Sequence, residues 1–145
     1  MKAFSFNLQK VLDLRKFHEE EAKIELGRAV GALAELEGKV VTLGEERAKA
    51  ANEQISPGNS PVTIQQYMYY ILRLDQYKGF LLSEIETAKE NVDKARELYL
   101  EASRERKVLD KLKEKRQAEH KKQMLVEETK ALDDISAQIY ARNEN

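Results

Sequence analysis

Histidine, serine and carboxylate side chains are the first candidates for chemistry in this chain, and their spacing points to none. His18 precedes Glu19, Glu20 and Glu21, but a zinc site on one helix face needs a second histidine four residues on, and position 22 is alanine. His120 is remote from it in sequence, so both histidines read as solvated surface residues. Gly38-Lys39 lacks the preceding glycine and the strand-to-helix context of a phosphate loop. No cysteine is present, which removes disulfides, thiolate nucleophiles and cysteine-based metal sites. Serine, aspartate and glutamate are plentiful, yet they become reactive only where burial perturbs them, and the polarity of this chain argues against an enclosed cavity. The sequence therefore reads as a non-enzyme with no cofactor and no metal.

What remains is binding chemistry. Tyr69, Leu72 and Phe80 fall on the outer face of a helix, with Tyr70 and Tyr77 beside its seam and Tyr67 in it. Clustered exposed aromatics anchor protein interfaces, although long neighbouring side chains or another helix could also cover them. A basic stretch follows: from Arg104 to Lys122 there are nine Lys or Arg residues against four acids. Such a stretch could grip an acidic protein or nucleic acid, or be a merely solvated helix. Nucleic acid is disfavoured, because apart from Tyr99 the aromatics that would stack on bases lie well upstream. Gly27, Gly31 and Gly38 share the outer face of helix 1, where close approach of a partner and local flexibility explain them equally well.

The elements that carry these groups are helices. With 35% charged and 7% aromatic residues, no Trp, and 25 cations interspersed with 26 anions, the chain is too polar for a compact globule of 145 residues. No apolar run reaches a membrane span, and Met1-Lys-Ala-Phe-Ser-Phe lacks the apolar core of a signal peptide, so a cytoplasmic protein is expected. The seam of helix 1, expected over about 7–54 with Asn7 as its cap, reads Leu8, Leu12, Arg15, Glu19, Ala22, Leu26, Ala29, Leu33, Leu36, Val40, Leu43, Arg47, Ala50 and Gln54. A turn over 55–62 holds the only prolines, Pro57 and Pro61. Helix 2, over about 63–140 with Thr63 as its cap, has the seam Ile64, Tyr67, Ile71, Leu74, Lys78, Leu81, Ile85, Ala88, Val92, Ala95, Tyr99, Ala102, Arg106 and Leu109.

In an antiparallel pair the numbers of facing residues sum to a constant. Leu33 with Ile85 and Leu26 with Val92 give 118, while Leu36 with Leu81, Leu43 with Leu74 and Leu8 with Leu109 give 117. The expected fold is therefore all-α: a long antiparallel two-helix coiled coil forming one elongated domain over 1–145, with a first helix of roughly 70 Å at ~1.5 Å per residue. Helix 2 outlasts its partner. After Leu112 its seam positions become Lys113, Arg116, His120 and Gln123, which predicts an exposed C-terminal overhang. Met124, Leu125, Val126, Leu132, Ile135 and Ile139 restore some apolar character near its end, to meet a partner or to remain exposed.

Phe4-Ser-Phe-Asn-Leu-Gln-Lys-Val-Leu-Asp-Leu-Arg15, Glu19-Glu-Glu-Ala22, Gln65-Gln-Tyr67, Tyr70-Ile71 with Leu74, and Ser103-Arg-Glu-Arg-Lys-Val-Leu-Asp-Lys-Leu-Lys-Glu-Lys-Arg116 resemble the FliJ proteins of the bacterial flagellar export apparatus. That resemblance, which spans nearly the whole chain, implies a coiled coil like the central stalk of rotary ATPases. One end enters the hexameric export ATPase and promotes its assembly, the middle contacts the cytoplasmic linker of the export gate, and some members handle export chaperones that lack cargo. Carried onto this sequence, the ATPase-facing residues are Phe4, Phe6, Leu8, Val11, Arg15, Arg104, Arg106, Lys107, Lys111 and Lys113. The gate-facing residues are Tyr67, Tyr69, Tyr70, Leu72, Tyr77 and Phe80. The resemblance also implies a cytoplasmic protein held peripherally at the flagellar basal body, reaching the membrane only through partners. Virulence-type secretion stalks share the fold, and the Phe-x-Phe-x-Leu-Gln pattern favours the flagellar system. The alternative is a self-associating structural coiled coil with no ATPase partner.

Overall fold

The computed structural model describes Lys2 to Glu144. Those residues are 91% helical with no strand. Helix α1 spans Gln9–Gln54 and helix α2 spans Pro61–Glu144, and the two pack against each other as the heptad seams require. Contacts gather into two units: Glu20–Leu100, and the described parts of Met1–Glu19 with Glu101–Asn145.

The unit Glu20–Leu100 is a helical hairpin. Pro57 stops α1, and Gly58 turns the chain at φ 87°, a left-handed conformation that glycine adopts without steric cost. Asn59 closes the end of α1, its side-chain amide donating to the carbonyls of Glu53 (2.7 Å) and Gln54 (3.1 Å). Ser60, not Thr63, caps α2. Its Oγ accepts from the Thr63 backbone N–H (3.2 Å) and its carbonyl accepts from Ile64 (3.0 Å), while Pro61 takes the first helical position. Pro61 lacks an N–H and has a pre-set φ, so it starts α2 two residues before the expected boundary and is no part of the break.

Leu43, Leu74 and Leu81 form the core of this hairpin with Leu36 and Val40 against them, and Ile85, Ala88, Val92 and Ala50 are also buried. Every seam position expected in this unit is at least partly covered except Arg47, Ile64 and Lys78. Both cations are exposed, Arg47 pairing with Asp75, and Ile64 lies in the first turn of α2.

In the second unit Leu12 is fully buried against Leu109 and Phe6, with Phe4, Leu8 and Leu112 packed around them. Here α1 starts at Gln9, and the cap expected at Asn7 is absent. Leu8 supplies the carbonyl that accepts the Leu12 N–H (2.9 Å), while the Asn7 side chain accepts from Arg116 (2.5 Å) instead of from the first turn. The overhang is corrected in the same region. Lys113, Arg116, His120 and Met124 are partly covered, with Asn7 and Phe6 against Arg116 and Lys2 and Phe4 against His120. Residues 2–6 have no regular secondary structure. Phe4, Phe6 and Leu8 are covered while Ala3, Ser5 and Asn7 are exposed, the period-two alternation of an extended segment. From Leu125 to Glu144 every side chain is exposed, and α2 continues past the expected end near 140.

Because Leu81 is 2% exposed, Leu81→Ala is expected to lower stability by about 2–5 kcal/mol, read as a reduced midpoint of urea unfolding. An unchanged midpoint would contradict this account of the hairpin core.

Candidate functional site

Two exposed surfaces carry the residues singled out in the sequence, one in each unit. On the hairpin, Tyr69 and Phe80 are 56% and 57% exposed, and Tyr70, Leu72 and Tyr77 are exposed as well. The rings of Tyr77 and Phe80 stack with centroids 6.3 Å apart and planes at 18°, so the two form one continuous apolar face. Tyr77 also borders a shallow groove with Gly38, Lys39, Thr42 and Leu43 of α1, where the missing Cβ of Gly38 leaves open space. The Tyr69 hydroxyl accepts from the Gln65 amide (3.4 Å). Tyr67 lies at the margin of these aromatics, lining a shallow recess with Thr63, Gln66 and Tyr70. It is partly covered, and its hydroxyl donates to Glu53 (3.0 Å), a bond that raises the phenol's pKa above its ordinary value. Its first role is therefore to tie α2 to α1 beside the turn.

Arg47 donates to both carboxylate oxygens of Asp75, at 2.6 and 3.3 Å. The hydrogen bond holds the Asp75 carboxyl below the usual carboxylate range and raises the guanidinium. Both side chains are more than two-fifths exposed, so water screens much of this attraction.

In the other unit, the residues expected to face an ATPase divide into two groups. Phe4, Phe6 and Leu8 join the apolar cluster, and Arg15 donates to the Glu105 carbonyl (2.9 Å). Arg106 is also internal. It donates to Glu19 (2.6 Å) and to Asp110, with all three side chains largely covered, and these bonds, Glu19 first, raise its pKa. Arg104, Lys107 and Lys111 point into solvent, Lys113 is partly covered, and Val11 is 40% exposed.

Some partners escaped the sequence reading. His120, expected to be solvated, donates from Nε2 to the Lys2 carbonyl (3.0 Å) and lies 5.6 Å from the Phe4 ring. Arg116 stands over the Phe6 ring at 5.7 Å. The alternation of Phe4 and Phe6 was the one available signal, since no local spacing links residues 2–8 to 113–124. His18 is exposed beside Phe17, with ring centroids 6.0 Å apart. Among the described residues no group of acidic or histidine side chains is placed to hold a metal, and no helix is long and apolar enough to cross a membrane.

Two long helices, a narrow apolar seam and exposed aromatic and basic faces define a coiled-coil protein. A family model described as Flagellar FliJ protein matches residues 4–145, and the chain belongs to that family. It is thereby a component of the flagellar export apparatus, in a family without catalytic activity. No curated protein and no solved structure matches the chain significantly.

Arg106→Ala leaves Glu19 and Asp110 facing each other without a cation, and is expected to cost roughly 1–3 kcal/mol in urea unfolding. An unaltered midpoint would show that the three groups are unimportant to the fold. The Asp75 pairing has a sign in pH. A carboxyl whose pKa is lowered by folding stabilises above its ordinary pKa and loses that contribution as pH falls through the folded value. Thermal melts of Asp75→Asn should therefore lie below those of the unmodified protein at neutral pH and converge with them in acid. A gap of constant size at all pH values would refute the assignment.

Proposed function

We propose that the chain acts as a stalk-like, non-enzymatic element of flagellar export. It binds the hexameric export ATPase through the end bearing Phe4, Phe6, Leu8, Val11 and Arg15 with Arg104, Lys107, Lys111 and Lys113, promotes its assembly and activity, and couples it to the export gate. The aromatic face of Tyr69, Tyr70, Leu72, Tyr77 and Phe80 is the gate contact, with Tyr67 at its margin. The protein works in the cytoplasm at the base of the flagellum, and escort of cargo-free export chaperones belongs to the same reading.

One observation carries this proposal. In a chain of the FliJ family, the unit that packs Phe6, Leu12 and Leu109 into a small apolar cluster leaves Arg104, Lys107 and Lys111 exposed to solvent. Arg106 is assigned first to holding the two helices together, because Glu19 and Asp110 already hold its guanidinium. Self-association is the second reading, favoured by Leu125, Leu132, Ile135 and Ile139, each more than half exposed on α2.

The test is steady-state ATP hydrolysis by the cognate export ATPase, with and without this protein, and with a charge-reversed variant at Arg104, Lys107 and Lys111 that spares Arg106. The expected result is stimulation by the unmodified protein and at least a ~tenfold loss of apparent affinity in the variant, as for the removal of charged contacts at an interface. Absence of stimulation, together with separate migration of the two proteins on a sizing column, would defeat the proposal in favour of self-association.

A further inference from the structure

Arg104, Lys107, Lys111, Lys115 and Lys122 follow one another at helical spacing down one side of α2, all exposed, on the side turned away from buried Leu109 and partly covered Lys113. The row is about 27 Å long at ~1.5 Å per residue. Glu101, Glu105, Glu114 and Glu119 fall to its sides.

Two of its steps, Lys107 to Lys111 and Lys111 to Lys115, place like charges four residues apart, an arrangement that opposes helix formation. Elsewhere cations at such spacing meet acids, as in Arg28 with Glu25, Lys39 with Glu35 and Arg96 with Asp93. Within the row only Arg104 does so, touching Glu101 at 3.6 Å. Among the described residues, Lys107, Lys111, Lys115 and Lys122 have no carboxylate within 4.0 Å. Asp110, Glu114 and Glu119 lie three or four residues from these lysines, yet none of the four lysines holds a carboxylate contact among the described residues, so their charge is open to an outside anion.

We propose that this row lays α2 on an anionic lipid surface, so that the protein touches the membrane directly as well as through partner proteins. Lys115 and Lys122 carry the row beyond the residues assigned to the ATPase, and no aromatic anchor stands among its five cations. Clusters of four to eight cations on one helix face suit anionic headgroups. A straight row meets a plane of headgroups along its whole length, whereas the backbone of a nucleic-acid duplex curves away after a turn or two. Val108 and Val126, 63% exposed beside the row, can rest at the headgroup boundary. Attachment is electrostatic adsorption, not insertion.

The experiment is co-sedimentation of the full chain with phosphatidylglycerol-containing vesicles and with phosphatidylcholine vesicles. Lys115→Glu with Lys122→Glu is the diagnostic variant, because both positions lie outside the residues assigned to the ATPase. Binding should require phosphatidylglycerol and fall at least ~tenfold between about 0.05 M and 0.5 M salt. The double reversal should weaken it at least ~fivefold with unchanged helical circular dichroism and unchanged ATPase stimulation, and Lys115→Gln with Lys122→Gln should give an intermediate loss. Equal binding to neutral vesicles, indifference to both variants, or preferential capture by duplex DNA at the same salt would overturn the proposal.

Discussion

The constraint on which the rest depends is how little two helices can bury along one seam. Only one residue in every three or four on each helix meets the other, so the contact is a single layer of side chains without an interior behind it. Leu12 and Leu81 are the largest side chains fully removed from solvent, while Val41, Leu98 and Val108 remain more than three-fifths exposed. Groups beside such a seam keep contact with water. The displaced titrations of Arg47, Tyr67, Asp75 and Arg106 accordingly arise first from a hydrogen bond and not from burial. Activity in a chain built this way lies in its outer surfaces, which agrees with a non-catalytic family of export components.

A thin apolar layer also leaves register weakly defined, since leucines at heptad spacing can slip by one repeat and still meet leucines. Polar groups at the margins discriminate between such registers. Arg106 reaches both Glu19 and Asp110, and a slip would leave charges partly covered and uncompensated. Tyr67 with Glu53 and Arg47 with Asp75 serve the hairpin in the same manner, more gently because they are more exposed. The stabilisation from these contacts is modest, but their penalty against wrong pairings is larger. The charged seam positions Arg47 and Arg106 are thus part of the specification and not interruptions of it.

How much of this was legible depended on whether a signal was periodic. The heptads gave both helices, and Leu36 with Leu81 and Leu43 with Leu74, paired by numerical register alone, share one cluster in the structure. The aromatic face was legible too, because Tyr69, Leu72 and Phe80 fall away from the seam by spacing. Capping was read less well. Ser60 and Thr63 are both competent caps, and the choice between them turns on whether Pro61 closes the turn expected over 55–62 or opens the helix, which its rigid φ permits. Asn7 had the right chemistry for a cap, but Arg116 binds it instead. That Arg106 is tied to Glu19 and Asp110 could not be known before those two were placed beside it, one of them 87 positions away.

The N-terminal segment shows why a polar seam need not be an unpartnered one. Beyond Leu112 the inward positions of α2 become Lys113, Arg116 and His120, residues that an apolar helix would cover only at a desolvation cost. An aromatic strap meets them on different terms. The face of the Phe6 ring carries partial negative charge and accepts the Arg116 guanidinium, while Phe4 packs beside the His120 ring and the Lys2 carbonyl accepts a hydrogen bond from the His120 Nε2–H. An extended segment can do this because alternate side chains share one side, so Phe4 and Phe6 arrive together. Helix α1 has no such freedom. The change from leucine to arginine and histidine along α2 therefore matches a change in partner, from a helix that offers aliphatic knobs to a strap that offers rings and carbonyls.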